Sequence, residues 1–330
     1  MSRETYRASG VDIDLAREAI RALVGRITYR RKGHIRMAGA VGHYAGLMEF
    51  GDHVLALTTD GVGTKMMVAD RLKNWRTVGI DCIAMNVNDL FVMNVEPVAF
   101  VDYIAAERLS VETMRQIGEG LNEGARLADI DIVGGETAQL RDQVHGLDLA
   151  GTCLGVQEKA RVVTGGKIVP GDRIIGVPSS GIHSNGLSLA RRIVEAHASY
   201  DTRLPNGKTA GEELLVPTRI YREALDVCRT AEVHGMCHVT GGGLLNFTRL
   251  TGHGFEFRTP LPVPPIFTWL QEEGNVDPVE MYRTFNMGMG YAYVVPPASV
   301  ETVLRMVPGA AVVGEIVSGS GVRVQGREIR

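Results

Sequence analysis

The sequence predicts an α/β, or α+β layered, protein of two domains, and three observations carry that expectation. Apolar runs of strand length alternate with longer stretches of helical periodicity, the alternation recurs in both halves, and a stretch dense in turn residues divides them. At 330 residues the chain exceeds one typical domain, so two of about 150 to 180 residues are expected. The turn residues from Thr164-Gly165-Gly166-Lys167 to Pro170-Gly171 set the boundary near residue 166, giving domains over 1–165 and 166–330.

In the first half the pattern predicts a strand from Val54 to Thr58, a helix from Val78 to Leu90 and a strand from Val98 to Ile104. A helix from Val111 to Ala128 and strands from Ile130 to Val133 and from Gly151 to Val156 follow. In the second helix Met114, Ile117, Leu121, Ala125 and Ala128 recur every three or four residues and form one core-facing stripe. The second half predicts a strand from Arg173 to Val177, helices from Leu187 to Ala196 and from Thr218 to Thr230, and a strand from Gly290 to Val295. The proline-rich stretch from Pro260 to Pro265 reads as a surface loop before a helix around Ile266 to Glu272. Ala311 to Ile316 and Val322 to Val324 are expected to form a terminal hairpin.

With 45% hydrophobic residues, 22% charged residues and a net charge of -3, bulk electrostatics gives no sign of a nucleic-acid or membrane partner. No apolar run approaches the roughly 18 residues of a membrane span, and a cytoplasmic location is the default expectation. Cys82, Cys153, Cys228 and Cys237 form no C-x-x-C pair and are expected to be reduced, mostly buried thiols. His234 and His238 are four apart, but Gly235 between them and the lack of a third ligand at useful spacing speak against a metal site.

The densest chemistry lies in Thr58-Thr59-Asp60-Gly61-Val62-Gly63-Thr64-Lys65, which follows an apolar run. Amides freed by Gly61 and Gly63, the Thr64 hydroxyl and the Lys65 ammonium suit phosphate oxygens, and Asp60 suits Mg2+. An ordinary strand-end turn is the alternative. The helix from Val78 carries Asp81, Asn86, Asn88 and Asp89, which compete with helical backbone hydrogen bonds. Asp81 and Asn88 share a face, with Asp89 about a quarter-turn away, so with Asp60 they make a candidate carboxylate cluster; capping of the helix end by Asn88 and Asp89 is the alternative. Gly134-Gly135-Glu136-Thr137 reads as a glycine turn delivering an acid to a strand end, as a third metal or ribose contact or as a solvated turn. Ser179-Ser180-Gly181-Ile182-His183-Ser184-Asn185-Gly186 joins a strand to a helix whose free amides attract phosphate. There His183 is a candidate hydrogen-bond donor or proton shuttle, and a plain helix cap is the alternative. Thr240-Gly241-Gly242-Gly243 is a further loop in which three glycines imply a close backbone approach. Phe285-Asn286-Met287-Gly288-Met289-Gly290 repeats the theme weakly.

Together and in this order these motifs, with Tyr6 and Ser9-Gly10-Val11-Asp12-Ile13-Asp14, resemble the phosphoribosylformylglycinamidine cyclo-ligase (aminoimidazole ribonucleotide synthetase) family over almost the whole chain. The resemblance implies an N-terminal sheet that pairs with that of a second subunit, a C-terminal α/β domain that closes the substrate site, ATP, Mg2+ and a homodimer. It implies that Asp60, Gly61, Gly63, Thr64, Lys65, Asp81, Asp89, Gly135, Glu136 and Thr137 serve the nucleotide. Asp60, Asp81, Asp89 and Glu136 would hold the metal. Ser180, Gly181, His183, Ser184, Asn185, Thr240, Gly241, Gly242 and Gly243 would lie near the substrate ribose phosphate. Lys65, Asp60 and His183 are the catalytic candidates. Gln139, Arg141 and Gly42-His43-Tyr44 depart from the family pattern.

The implied reaction takes formylglycinamidine ribonucleotide to aminoimidazole ribonucleotide with release of ADP and phosphate. Phosphorylation of the formyl oxygen to an iminophosphate would make it a leaving group for attack by the amidine nitrogen, with catalysis resting on positioning and charge neutralisation. Sister ATP-using kinases or dehydratases of the same superfamily are the near alternative. A noncatalytic nucleotide-binding subunit is the distant one, since it would predict loss of the acids.

Overall fold

Two β-sheets with helices packed on them make up the computed structural model, which describes residues 4–38 and 43–329. The first half runs α1 (Ile13–Val24), β1 (Met37–Ala38), β2 (Gly46–Phe50), β3 (His53–Gly61), α2 (Lys65–Leu72), α3 (Arg76–Phe91), β4 (Glu96–Ala106), α4 (Val111–Ala128), β5 (Asp131–Gln139) and β6 (Leu147–Glu158). The second half runs β7 (Arg173–Pro178), α5 (Leu187–His197), α6 (Ala210–Leu214), α7 (Glu223–Thr230), β8 (Gly235–His238), β9 (Gly254–Phe257), α8 (Pro265–Glu273) and α9 (Pro278–Thr284). It closes with β10 (Met289–Val295), α10 (Val300–Met306), β11 (Ala311–Val317), β12 (Val322–Val324) and β13 (Arg327–Ile329).

The first sheet has the order β1-β2-β3-β6-β4-β5 and is antiparallel apart from the β4–β5 pair. Helix α4 forms where the periodicity predicts it. Ser110 caps its first turn by accepting from the Thr113 amide, and Asp129, in the left-handed region, ends it. Ile117, Leu121, Ala125 and Ala128 are buried on its core stripe, and Met114 is half-buried. Each large apolar side chain buried this way stabilises the layer by about 1.5–3 kcal/mol. Helix α3 is buried nearly all round, and at Gly79 a Cβ would stand 2.3 Å from the Leu121 amide nitrogen. That close backbone approach lets α3 and α4 pack as one layer.

The second sheet has the order β13-β12-β9-β11-β7-β10-β8. Strand β10, between β7 and the edge strand β8, is buried along its whole length, in keeping with its run of apolar residues. Three sequence expectations need correction here. The expected terminal hairpin does not form: β11 lies between β7 and β9, whereas β12 pairs antiparallel with β13 and parallel with β9. The helix expected from Thr218 begins at Glu223, because the Thr218 and Tyr221 amides donate to Asp81 and Asn88 of α3. Gly134 to Thr137 make no turn; β5 runs through them to Gln139.

Candidate active site

Strand β3 extends past the predicted end to Gly61, so the turn before α2 is only Val62, Gly63 and Thr64, with Gly63 at φ 66°. Asp60 therefore sits on the last strand positions, open to solvent at its edge. The surrounding protein and then the negative charge of Asp89 push its carboxyl up to about 6, against the Gly61 N–H, which donates to it at 2.7 Å. Asp89, on the last turns of α3, accepts from His238 Nδ1 at 2.9 Å. Asn88 Nδ2 lies 3.4 Å from the other ring nitrogen of His238, which fixes Nδ1 as the protonated nitrogen.

Asn86 turns to β3, donating to the Asp60 carbonyl at 3.3 Å, whereas Asp81 and Asn88 of α3 face the second domain. Lys65 is fully buried; its Nζ lies 3.0 and 2.8 Å from the two Asp81 oxygens, and donates to the His183 carbonyl at 3.2 Å and the Val216 carbonyl at 2.6 Å. Asp81 also accepts from the Thr218 amide at 2.7 Å and hydroxyl at 2.6 Å. Burial holds the Lys65 ammonium below its ordinary range, and Asp81 partly restores it. Asn88 donates to the Arg219 carbonyl and accepts from the Tyr221 amide. Lys65, expected at phosphate, and Asp81, expected at metal, are here both enclosed in a network between the two halves of the chain. Asn88 and Asp89 lie within α3 and do not cap it.

The loop from Ser179 to Gly186 is held by several neighbours. Asn286 donates to the Gly181 carbonyl at 2.9 Å and accepts from the Ser179 hydroxyl at 3.0 Å, Ser180 donates to the Pro217 carbonyl, and Ser184 meets Thr218 at 3.4 Å. His183, at φ 63°, is fully buried with its Nε2 3.4 Å from the Ser180 amide. Burial, with His238, Lys65 and Arg219 nearby, drives its pKa well below the usual imidazole value. Burial thus favours the neutral form of this ring, the candidate proton shuttle of the sequence. A Cβ on Gly241 would come within 3.2 Å of Asn185, so the Thr240 to Gly243 loop lies against this one. Thr64 Oγ1, 3.2 Å from Ser188 Oγ, ties the Asp60 turn to the start of α5. The glycines of the Thr240 loop answer a steric demand: Gly242 lies at φ 100°, and a Cβ on Gly243 would stand 2.0 Å from the Tyr282 carbonyl oxygen.

Glu136 is not with Asp60. One row across the first sheet reads Asp60, Gly151, Asp102, Gly135, and the next reads Gly61, Ala150, Tyr103, Glu136. Successive strand residues face opposite sides, so Asp60 and Asp102 share the helix-covered face while Glu136 and Tyr103 stand on the open one. Thr137 follows on β5, and Gly135 packs against the Asp102 carboxylate. Among the described residues no three of His, Cys, Asp or Glu gather as a metal site, and the four expected metal ligands do not converge within one chain. Two carboxylates, those of Asp60 and Asp89, remain at the open edge; Mg2+ bridging to phosphates needs only one or two, so the donor set fits that ion.

Residues outside the sequence expectations also take part. His238 serves as the partner of Asp89, while His234 turns away to Asp172 and Glu232. Asp102 had a legible signal, a charged residue inside an apolar strand, whereas nothing local singles out Thr218. Of the departures from the family pattern, Gly42 lies outside the described residues, His43 approaches the Thr164 carbonyl at 3.2 Å, and the Tyr44 hydroxyl lies 3.1 Å from Cys237 Sγ. Gln139 ends β5 and Arg141 lies in the turn beyond it.

Sequence comparison decides the family. Residues 42–157 match the N-terminal domain of AIR synthase related protein, and residues 169–327 match its C-terminal domain. The chain belongs to the AIR synthase related family. It is an enzyme of the ligase class. A phosphoribosylformylglycinamidine cyclo-ligase of Methanococcoides burtonii is 52% identical, covering 98% of both chains. One of the same name from Pyrococcus horikoshii is 49% identical over 92% of this chain and 91% of its own. In fold the AIR synthase related chain is similar to tt0281 from Thermus thermophilus, at TM-score 0.68 and 20% identity, covering 97% of this chain and all of that one. It is also similar to AaThiL complexed with AMPPCP and TMP, at TM-score 0.67 and 15% identity, over 96% of this chain and 94% of that one. No described helix is long and apolar enough to cross a membrane.

Proposed function

We propose that the chain catalyses the ATP-dependent ring closure of formylglycinamidine ribonucleotide to aminoimidazole ribonucleotide, releasing ADP and phosphate, in purine biosynthesis in the cytoplasm. The observation that carries this reading is the assembly, along one seam, of the Asp60 turn and Asp89 with the Ser179–Gly186 and Thr240–Gly243 loops, in a chain about half identical to named cyclo-ligases. Bound Mg-ATP would supply the phosphoryl group that turns the formamide oxygen into a leaving group, by way of an iminophosphate. Asp60 and Asp89 would hold the metal, and the amides of Gly61, Gly63 and Thr64 would orient the phosphates. Ser180, Ser184, Asn185 and the glycines of the Thr240 loop would hold the ribose phosphate. His238, fully buried and held between Asp89 and Asn88, would position the Asp89 carboxylate for that metal.

We also propose a homodimer through the open face of the first sheet. Leu57, Val101 and Tyr103 are 45%, 38% and 44% exposed there, an apolar surface a second copy would cover. Glu136 lies on that face, so it would reach the Asp60 site of the partner rather than that of its own chain. Substitution Tyr103→Asp should give a monomer by sedimentation; a dimer that persists would remove this face from the interface.

The decisive assay incubates the protein with Mg-ATP and formylglycinamidine ribonucleotide and follows ADP and aminoimidazole together. Equal, substrate-dependent formation of both is expected. ADP without imidazole would point to a kinase or dehydratase, and bound ATP without turnover to a regulatory subunit.

A further inference from the structure

Lys65 ends a glycine-rich segment that reads as a phosphate site, yet it makes no use of that position. Its side chain turns inward, has no exposed surface, and fills its three donor directions with Asp81, the His183 carbonyl and the Val216 carbonyl. The two carbonyls belong to different segments of the C-terminal half, and Asp81 holds the second of these again through the Thr218 amide and hydroxyl. One buried ion pair from α2 and α3 thus joins the segment 216–218 to the loop that carries Ser180, Ser184 and Asn185. Ser180 and Ser184 contact Pro217 and Thr218, which closes the connection from the other side.

We infer that Lys65 is a positioning residue: with Asp81 it latches the Ser179–Gly186 loop to the N-terminal domain and sets the geometry of the ribose-phosphate pocket, without touching nucleotide phosphate. A buried pair of this kind contributes little net stability against an apolar replacement, since desolvation offsets its attraction. What it supplies is direction, because a carbonyl ligated by an ammonium has one place to be. The identity of the bound substrate rests on the proposed function; the latch itself does not.

The test compares wild type with Lys65→Met, with the neutral pair Lys65→Met/Asp81→Asn, and with Thr218→Val, which removes a hydroxyl donor and no charge. In steady state the Lys65 variants are expected to raise KM for formylglycinamidine ribonucleotide by about tenfold while KM for ATP stays within about twofold and kcat falls less than about threefold. A collapse of kcat by about a hundredfold, or a raised KM for ATP with the other KM unchanged, marks a phosphate ligand and overturns the proposal. Hydrogen exchange of the free protein gives a readout without turnover. The amides of residues 181–186 and 218–221 should exchange faster in every variant, those of β3 unchanged, and unaltered exchange in Thr218→Val and in the neutral pair overturns the latch. If the wild-type protein fails to turn over this substrate pair, the functional reading fails and exchange alone decides Lys65. If Lys65→Met does not fold, the other two variants carry the same arms.

Discussion

His238 and Asp89 meet across the seam between the two sheets, the Nδ1 of one 2.9 Å from the Oδ1 of the other, one at the end of β8 and one on α3. The contact fixes the ring while leaving Asp89 the more exposed partner, its side chain 19% accessible against none for His238. Asp89→Asn keeps the shape but replaces a charged acceptor. It should lower kcat/KM by about ten- to a hundredfold with an unchanged circular dichroism spectrum. Wild-type kcat/KM in that variant would remove Asp89 from the site.

Asp60 gives a pH-dependent prediction. Its folded-state carboxyl is raised from the ordinary value of 3.8 to about 6, so the folded protein holds the proton more tightly than the unfolded chain. Ionisation at this position therefore weakens the fold: stability contributed by the protonated form is complete below the unfolded value and is lost as pH rises through about 6. Asp60→Asn should raise stability above pH 6 by about 1 kcal/mol, a figure reduced because one side of Asp60 meets water, and the gain should vanish in acid. The same variant should sharply weaken Mg-ATP use. Chemical denaturation at pH 4.0 and 7.5, beside initial rates at saturating substrate, checks both; equal stability differences at the two pH values would refute the titration.

The Thr240 loop separates two kinds of glycine. Gly243→Ala forces a Cβ to within 2.0 Å of the Tyr282 carbonyl at φ 54°, and should destabilise by about 2–4 kcal/mol. Gly241→Ala meets only the Asn185 side-chain oxygen at 3.2 Å, at an exposed position, and should cost less than about 1 kcal/mol. Thermal melts of the two variants rank them, and a larger loss for Gly241→Ala would contradict the loop geometry.

Much of the fold was legible because helix and strand periods are local properties. The α4 stripe and its Ser110 cap needed no information beyond the segment itself. What the sequence could not disclose were the partners of polar groups. Asp81, Asn88 and Lys65 looked like ligands for a missing ion or phosphate, since their density on and beside a helix had to be compensated. The compensation came from backbone amides and carbonyls of residues 183 and 216–221, more than a hundred positions away. The same remote demand unwound the start of the helix expected at Thr218. Glu136 was misplaced for a different reason: its two glycines read as a turn, and one residue of strand register decides which side of a sheet an acid faces.

That register has an experimental corollary. If Glu136 of one subunit completes the Asp60 centre of the other, a protein carrying Asp60→Asn and a second carrying Glu136→Gln, each inactive as purified, contain complementary halves. Exchange of subunits between them would place both lesions in one centre of the mixed dimer and leave its other centre whole. Random reassortment of equal amounts would then restore about a quarter of wild-type activity.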